Sequence, residues 1–104
     1  MVKAVLLVPA ADNDGQLFLD AHWWALEAKL LDFGGFTRGG DVAGAWKAQG
    51  RVFRDESRQY IVALQSWRDL PAWLVVVEWA RERFRQEAMF VEVAGVPEIL
   101  GPAE

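Results

Sequence analysis

The sequence predicts one α+β domain with the element order β-α-β-β-α-β. Two segments with apolar residues at helical spacing alternate with short apolar runs that are typical of strands. The chain has 104 residues, which is the size of a single domain. No internal repeat, low-complexity stretch or linker divides it. We therefore predict a single domain that spans residues 1–104.

The first half of the chain supplies one strand and one helix. The strand is predicted from Lys3 to Val8, a β-branched and leucine-rich run that Pro9 ends. A helix begins at Asp20, and Gly34-Gly35 ends it because glycine takes the left-handed conformation without steric cost. Its core stripe has spacings of three and four residues and consists of Trp23, Leu26, Leu30 and Phe33.

The middle of the chain predicts a β-hairpin. A short strand from Ala43 to Lys47 leads to a turn at Gln49-Gly50, and a long return strand begins at Arg51. Between Ser57 and Gln65 the residues alternate. The alternation assigns Tyr60, Val62 and Leu64 to the core, and Ile61 and Ala63 to the opposite face.

The last third of the chain predicts a second helix and a final strand. Asp69 is the predicted cap, and Pro71 fits the first turn, where a missing amide hydrogen costs nothing. The core stripe of this helix consists of Trp73, Val77, Ala80 and Phe84. The strand Met89–Val93 follows, and a turn leads to a tail, Glu98–Glu104, whose Ile99 and Leu100 pack back on the domain.

This order of elements is the ferredoxin-like arrangement, in which two helices cover one face of a four-stranded antiparallel sheet. The other face of the sheet then stays open in the monomer. Ile61, Ala63 and Phe90 would make that face apolar. We therefore expect a second copy of the chain or a small apolar ligand to cover it, which predicts a homo-oligomer.

The composition narrows the classes of partner. Fifteen acidic and 11 basic residues give a net charge of −4, the wrong sign for a protein that neutralises phosphates, so we predict no nucleic-acid partner. No segment approaches the roughly 20 apolar residues of a membrane span, so we expect a cytoplasmic protein without a membrane partner. The absence of cysteine excludes thiolate ligands, and His22 is the single histidine. We predict neither a metal nor a cofactor.

The hairpin region resembles a known family. The pattern is a Trp-containing helix followed by FGGFT, then GAW, then RVFRDESRQYIV. It is similar to a family of small bacterial proteins of unknown function, and the resemblance implies the ferredoxin-like fold but no reaction. The matching positions are Phe33, Gly35, Phe36, Thr37, Gly44, Trp46, Arg54, Glu56 and Ser57.

The candidate ligand-binding residues form two groups. Arg54 and Glu56 point to the same side of a strand and would line the mouth of a pocket beside Trp46. The competing interpretation is a solvated strand end with weak ion pairs. Glu92 is a carboxylate flanked by apolar residues on the open face, where Ile61 and Phe90 also lie, and it is the weak catalytic candidate. His22 is the first candidate for a general base by residue type, but no carboxylate at fixed spacing orients it.

Two functions follow from these residues. The first is a self-associating, non-catalytic module whose open sheet face closes an oligomer or binds a small apolar ligand. The alternative is a small cofactor-independent enzyme of the dimeric α+β barrel type. In that enzyme Glu92 would be the acid/base group, Trp46 and Tyr60 the walls or polar handles, and Arg54 an anion anchor. The sequence leaves open whether the protein is an enzyme.

Overall fold

Two helices pack on one side of a five-stranded antiparallel sheet in the computed structural model, which describes residues 1–101. The sheet order is β2-β3-β1-β4-β5. A single 3-10 turn, Trp67–Asp69, precedes the second helix. The elements are β1 (Val2–Pro9), α1 (Asp20–Leu31), β2 (Thr37–Ala48), β3 (Arg51–Leu64), α2 (Leu70–Arg83), β4 (Met89–Val93) and β5 (Val96–Leu100).

The predicted α+β class is confirmed, and the prediction of four strands is wrong. Ala94 and Gly95 both have positive φ, at 52° and 81°, and make a tight turn after β4. The chain then pairs back on β4 as β5, from Val96 opposite Val93 to Leu100 opposite Met89. Pro97 is compatible with this position because β5 is an edge strand. The segment predicted as a turn and a tail is therefore the fifth strand, and residues 102–104 of that tail lie outside the described residues.

The strand β2 is much longer than the sequence predicts. It begins at Thr37 rather than Ala43, because the glycine-rich segment before Ala43 also pairs with β3. Glycines lower the strand propensity of such a segment, which explains the shorter prediction. The pairing shifts register between Arg38 and Gly40, and this β-bulge absorbs the irregular stretch.

The helices begin and end close to their predicted limits, with different caps. Leu19 is the N-cap of α1, so Asp20 lies in the first turn instead. Asp69 does not cap α2 with its side chain. Its carboxylate accepts a hydrogen bond from the backbone N–H of Gln65 at 3.0 Å and closes the turn between β3 and α2. No helix in residues 1–101 is long and apolar enough to cross a membrane.

The hydrophobic core lies between the helices and one face of the sheet, as the alternation predicts. Tyr60, Val62 and Leu64 of β3 are fully buried there. On the central strand β1, Ala4 and Leu6 face the helices, while Val5 on the other side is 3% exposed between its strand neighbours. The buried helix residues are Trp23, Leu26, Leu30, Trp73, Val77 and Ala80.

Candidate functional site

The hairpin of β2 and β3 projects beyond the rest of the sheet. Pairing between β1 and β3 ends where Pro9 meets Ser57, whereas β2 and β3 stay paired as far as Ala48 and Arg51. Residues 43–56 therefore form a two-stranded extension, here called the arm. Residues directly opposite each other in an antiparallel pair share a face, so the arm has a helix-facing side and an open side.

The arm separates three of the residues that the sequence places at one pocket. Arg54 and Glu56 do point to the same side, and they line an open groove of about 510 Å³ together with Ala43, Gly44, Ala45 and Asp55. Trp46 is paired with Phe53 on the opposite side of the ribbon. The two rings are stacked with centroids 4.7 Å apart. Trp46 therefore does not stand beside Arg54 and Glu56.

The other three predicted residues lie on the open face of the sheet. Glu92 and Ile61 both pair with Val5, and Phe90 pairs with Leu7. All three side chains are half-buried. Ile61 lies seven positions after Arg54 on β3, a span of about 23 Å at ~3.3 Å per residue, so the open-face group and the arm do not meet. A role for these residues in ligand binding stays a prediction.

His22 lies away from both groups. Its ring packs against Phe18 and Phe84, with centroid distances of 5.4 and 5.8 Å. The side chain is half-buried on the side of α1 that faces α2, where Lys29 contacts Trp79. The structure thus brings no partner with an obvious catalytic role to this histidine.

A different constellation brings chemically useful groups together between α1 and β3. The Tyr60 hydroxyl donates a hydrogen bond to Oε2 of Glu27 at 2.7 Å. Glu27 lies one turn after Trp23 on α1, and the guanidinium of Arg58 lies 4.1 Å from the Trp23 ring centroid. We call these four residues, Trp23, Glu27, Arg58 and Tyr60, the Tyr60 cluster.

The local sequence explains this geometry. Arg58 and Tyr60 are two apart on β3, so both point toward the helices. Trp23 and Glu27 are four apart on α1, so they share one side of the helix. The edge strand β2 continues the sheet beyond α1, and Arg38 of β2 lies opposite Tyr60. The Tyr60 cluster therefore lies at the edge of the helix layer, where β2 extends the sheet beyond α1.

An exposed aromatic ring adjoins this cluster. Trp24 is 67% exposed, and it lies three residues before Glu27 on the same side of α1. Leu31 continues that side one turn after Glu27 and is 58% exposed. Phe36 forms an edge contact with Tyr60, with ring centroids 5.7 Å apart. Aromatic and apolar surface thus flanks the charged groups, as in many small-molecule sites.

The hydroxyl of Tyr60 is held in its neutral form. The pKa of Tyr60 is raised to about 12, chiefly by burial and also by the hydrogen bond to Glu27. The nearby Arg58 opposes this rise. At neutral pH the phenol therefore acts as a fixed hydrogen-bond donor. It orients the Glu27 carboxylate, whose second oxygen is left for another partner.

The charges around Tyr60 suit a zwitterion. Glu27 accepts the hydrogen bond of the phenol and presents a negative charge, and Arg58 near the same phenol presents a positive charge. An α-amino acid carries an ammonium and a carboxylate on the same carbon, so it complements such a pair. No group of three or more metal-ligating side chains is found within residues 1–101.

The sequence does not reveal this constellation, because each of its residues, taken alone, has an ordinary structural explanation. Tyr60 belongs to the core alternation, and no local motif singles out Glu27. Two signals were available. Tyr60 is the single tyrosine, and a buried phenol needs a hydrogen-bond partner. Glu27 is the carboxylate next to the apolar stripe of α1, where such a partner is expected.

Comparisons with known proteins add a fold relationship. No family model matches the chain, and no curated protein does either. The resemblance to small bacterial proteins of unknown function therefore stays a prediction. A solved structure of a phage SAM lyase in complex with S-methyl-5′-thioadenosine is similar to this chain with a TM-score of 0.70 and 17% identity, over 97% of this chain and 89% of that one.

The apo structure of a phage SAM lyase is similar to the same degree. It has a TM-score of 0.68 and 17% identity, over 99% of this chain and 90% of that chain. The likeness covers nearly the whole of both chains, so the five-stranded sheet with two helices is the fold of these lyase structures. At this identity the likeness shows the fold alone.

Proposed function

We propose that the protein is a small enzyme that binds S-adenosylmethionine and breaks a carbon–sulfur bond in it, releasing S-methyl-5′-thioadenosine. The observation that carries the proposal is the Tyr60 cluster, with its opposite charges at Glu27 and Arg58 around one buried phenol. The chain-wide similarity in fold to a phage SAM lyase supports it. The proposal develops the enzyme alternative that the sequence leaves open.

The three parts of the proposed substrate match three features of this site. The ammonium of the amino-acid end pairs with Glu27, and the carboxylate of that end pairs with Arg58. The adenine ring packs on Trp24, whose exposed face provides stacking area. The sulfonium lies between these ends, beside aromatic rings that favour a cation.

The chemical step requires little from the protein. A carboxylate oxygen of the amino-acid end attacks the carbon bonded to sulfur, so a carbon–oxygen bond forms as the carbon–sulfur bond breaks. The electron pair of the broken bond goes to sulfur, which leaves as the neutral thioether, and the four-carbon product is a lactone that keeps the ammonium. Holding the amino-acid end in one conformation places its carboxylate oxygen in line with the reacting carbon, which is catalysis by orientation. Glu27, oriented by Tyr60, and Arg58 are the residues that provide this hold.

An activity measurement tests the proposal. The full chain is incubated with S-adenosylmethionine, and S-methyl-5′-thioadenosine and the four-carbon product are followed by mass spectrometry. We expect turnover that Glu27→Gln lowers at least about 100-fold, since a charge that positions the substrate is lost. Glu82→Gln, the same change at an exposed site on α2, should keep full activity. Absence of the thioether above the spontaneous rate in the unmodified chain would refute the proposal.

The open face of the sheet favours a second candidate, the self-associating module. Ile99 is 63% exposed there, next to half-buried Phe90. Under this candidate a second copy or a small apolar ligand covers the face, and no turnover is found. Ile99→Glu would then raise the dissociation constant of the oligomer, which analytical ultracentrifugation measures, because it buries a charge at an apolar interface.

A further inference from the structure

The tip of the arm is charged oppositely to the rest of the molecule. Residues 45–54 hold three of the 11 basic residues, Lys47, Arg51 and Arg54, and none of the 15 acidic ones. The other positions therefore carry eight basic and 15 acidic residues. A basic tip on an acidic body favours contact between the tip of one copy and the body of another.

The open side of the arm also carries exposed aromatic surface. Trp46 is 53% exposed and Phe53 is 37% exposed, and they stack on each other. The guanidinium of Arg51 lies 5.6 Å from the centroid of the Phe53 ring. Aromatic residues together with arginine are enriched at protein interfaces, whereas acidic residues are depleted there. This side of the arm thus has the composition of a docking element.

A complementary groove lies at the other end of the molecule. It has a volume of about 590 Å³ and lies between the end of α1 and the beginning of α2. Val75 on its wall is 70% exposed, and the acidic groups are Asp32 and Asp69. Lys29 also lines the groove, but its ammonium lies 4.6 Å from the centroid of the Trp79 ring. We call this the acceptor groove; its walls are Lys29, Asp32, Phe33, Gln65, Asp69, Ala72, Val75 and Val76.

We propose that the arm of one copy docks in the acceptor groove of a second copy, with Trp46 against the apolar wall and Arg51 paired with Asp32. The arm is unable to reach the acceptor groove of its own chain. The strand β3 has 14 residues and runs from the arm tip to Gln65 at the groove, which is about 46 Å along the strand at ~3.3 Å per residue. The longest dimension of the molecule is 40 Å, so this strand path is comparable to the whole length of the molecule.

This contact joins two different surfaces, so it is heterologous. Such contacts either close into rings or continue as open chains. Each copy then supplies one arm and one groove, and the arm gains the packing that an isolated two-stranded ribbon lacks. The inference is independent of the proposed enzymatic activity, because none of its residues belongs to the Tyr60 cluster.

Size-exclusion chromatography with light scattering on the full chain tests the contact. We expect an oligomer at micromolar concentration that dissociates as salt rises, since the charge pairing is screened. Arg51→Glu and Trp46→Ser should each raise the dissociation constant by about tenfold or more. Arg83→Glu, a charge reversal at an exposed site on α2, is the matched control and should have no effect.

A charge-swap experiment identifies the two surfaces. Arg51→Glu and Asp32→Arg should each be monomeric alone, and mixing the two proteins should restore assembly, because each arm then meets a groove of opposite charge. Circular dichroism confirms that both variants are folded. A strict monomer, failure of the mixture to assemble, or dissociation by Ile99→Glu instead of Arg51→Glu would overturn the proposal. Binding of a single-stranded oligonucleotide to the arm of a monomeric protein would overturn the proposal as well.

Discussion

Tyr60 is the residue at which core packing and site chemistry meet. Its ring is fully buried among Trp23, Phe36 and the sheet, and its hydroxyl emerges at Glu27. In this part-buried carboxylate–phenol pair, removing Glu27 would leave the phenol without its hydrogen-bond acceptor. The same hydrogen bond therefore stabilises the fold and sets the orientation of Glu27.

The pKa of Tyr60 is directly measurable because Tyr60 is the single tyrosine. Titration of phenolate absorbance should give a midpoint at about 12 in the folded chain, against an ordinary value of 10.0. Glu27→Gln should lower the midpoint but leave it above 10.0, since burial is the larger cause. Glu82→Gln should leave it unchanged. An ordinary midpoint in the folded protein would show that Tyr60 is not buried beside Glu27.

The same pKa predicts how stability depends on alkaline pH. The folded-state pKa is raised, so the neutral phenol is favoured by folding. Its contribution to the free energy of unfolding is complete below pH 10 and is lost as the pH rises through about 12. Urea unfolding at increasing pH checks this, with Tyr60→Phe as the variant in which that loss should be absent.

At the scale of elements, the long hairpin of β2 and β3 extends the sheet beyond the other strands. β2 and β3 have 12 and 14 residues, whereas β4 and β5 have five each. The turn at the arm tip has positive φ at both Gln49 and Gly50, at 51° and 74°. This is the geometry of tight hairpin turns that follow the twist of the strands.

The arm turn makes a local prediction. Gly50→Ala should destabilise the arm by about 1 kcal/mol, because a Cβ at positive φ is strained. Gln49→Gly should be neutral or stabilising at the neighbouring position. Hydrogen exchange of amides in residues 43–56 should speed up in Gly50→Ala while the amides of β1 keep their protection. Equal loss of protection in β1 would mean that the arm is not a separate unit.

At the scale of the whole molecule, the sequence predicts the core better than the edges. The alternation of Tyr60, Val62 and Leu64 and the stripes of α1 and α2 are set by burial, so their periodicity is visible in one sequence. Edge strands lack this periodic pattern of buried residues. β5 is mostly exposed, and the start of β2 is rich in glycine, so pairing alone makes them strands.

The candidate site was the least predictable part for a related reason. Arg54, Glu92 and Trp46 attract attention by residue type, but register on the sheet keeps them apart. Glu27 and Tyr60 are 33 residues apart in sequence, and only the packing of α1 on β3 brings them together. A site built across two elements in this way leaves no local motif to recognise.

Binding of the amino-acid end of an adenosyl ligand by Glu27 is the central feature of the proposed site. Isothermal titration calorimetry compares S-adenosylhomocysteine, which has that end and no sulfonium, with S-methyl-5′-thioadenosine, which lacks it. We expect the first to bind about tenfold or more tightly, and Glu27→Gln to abolish the difference. Trp24→Ala should weaken both ligands equally. Equal affinities in the unmodified protein, or a difference that survives Glu27→Gln, would contradict the account.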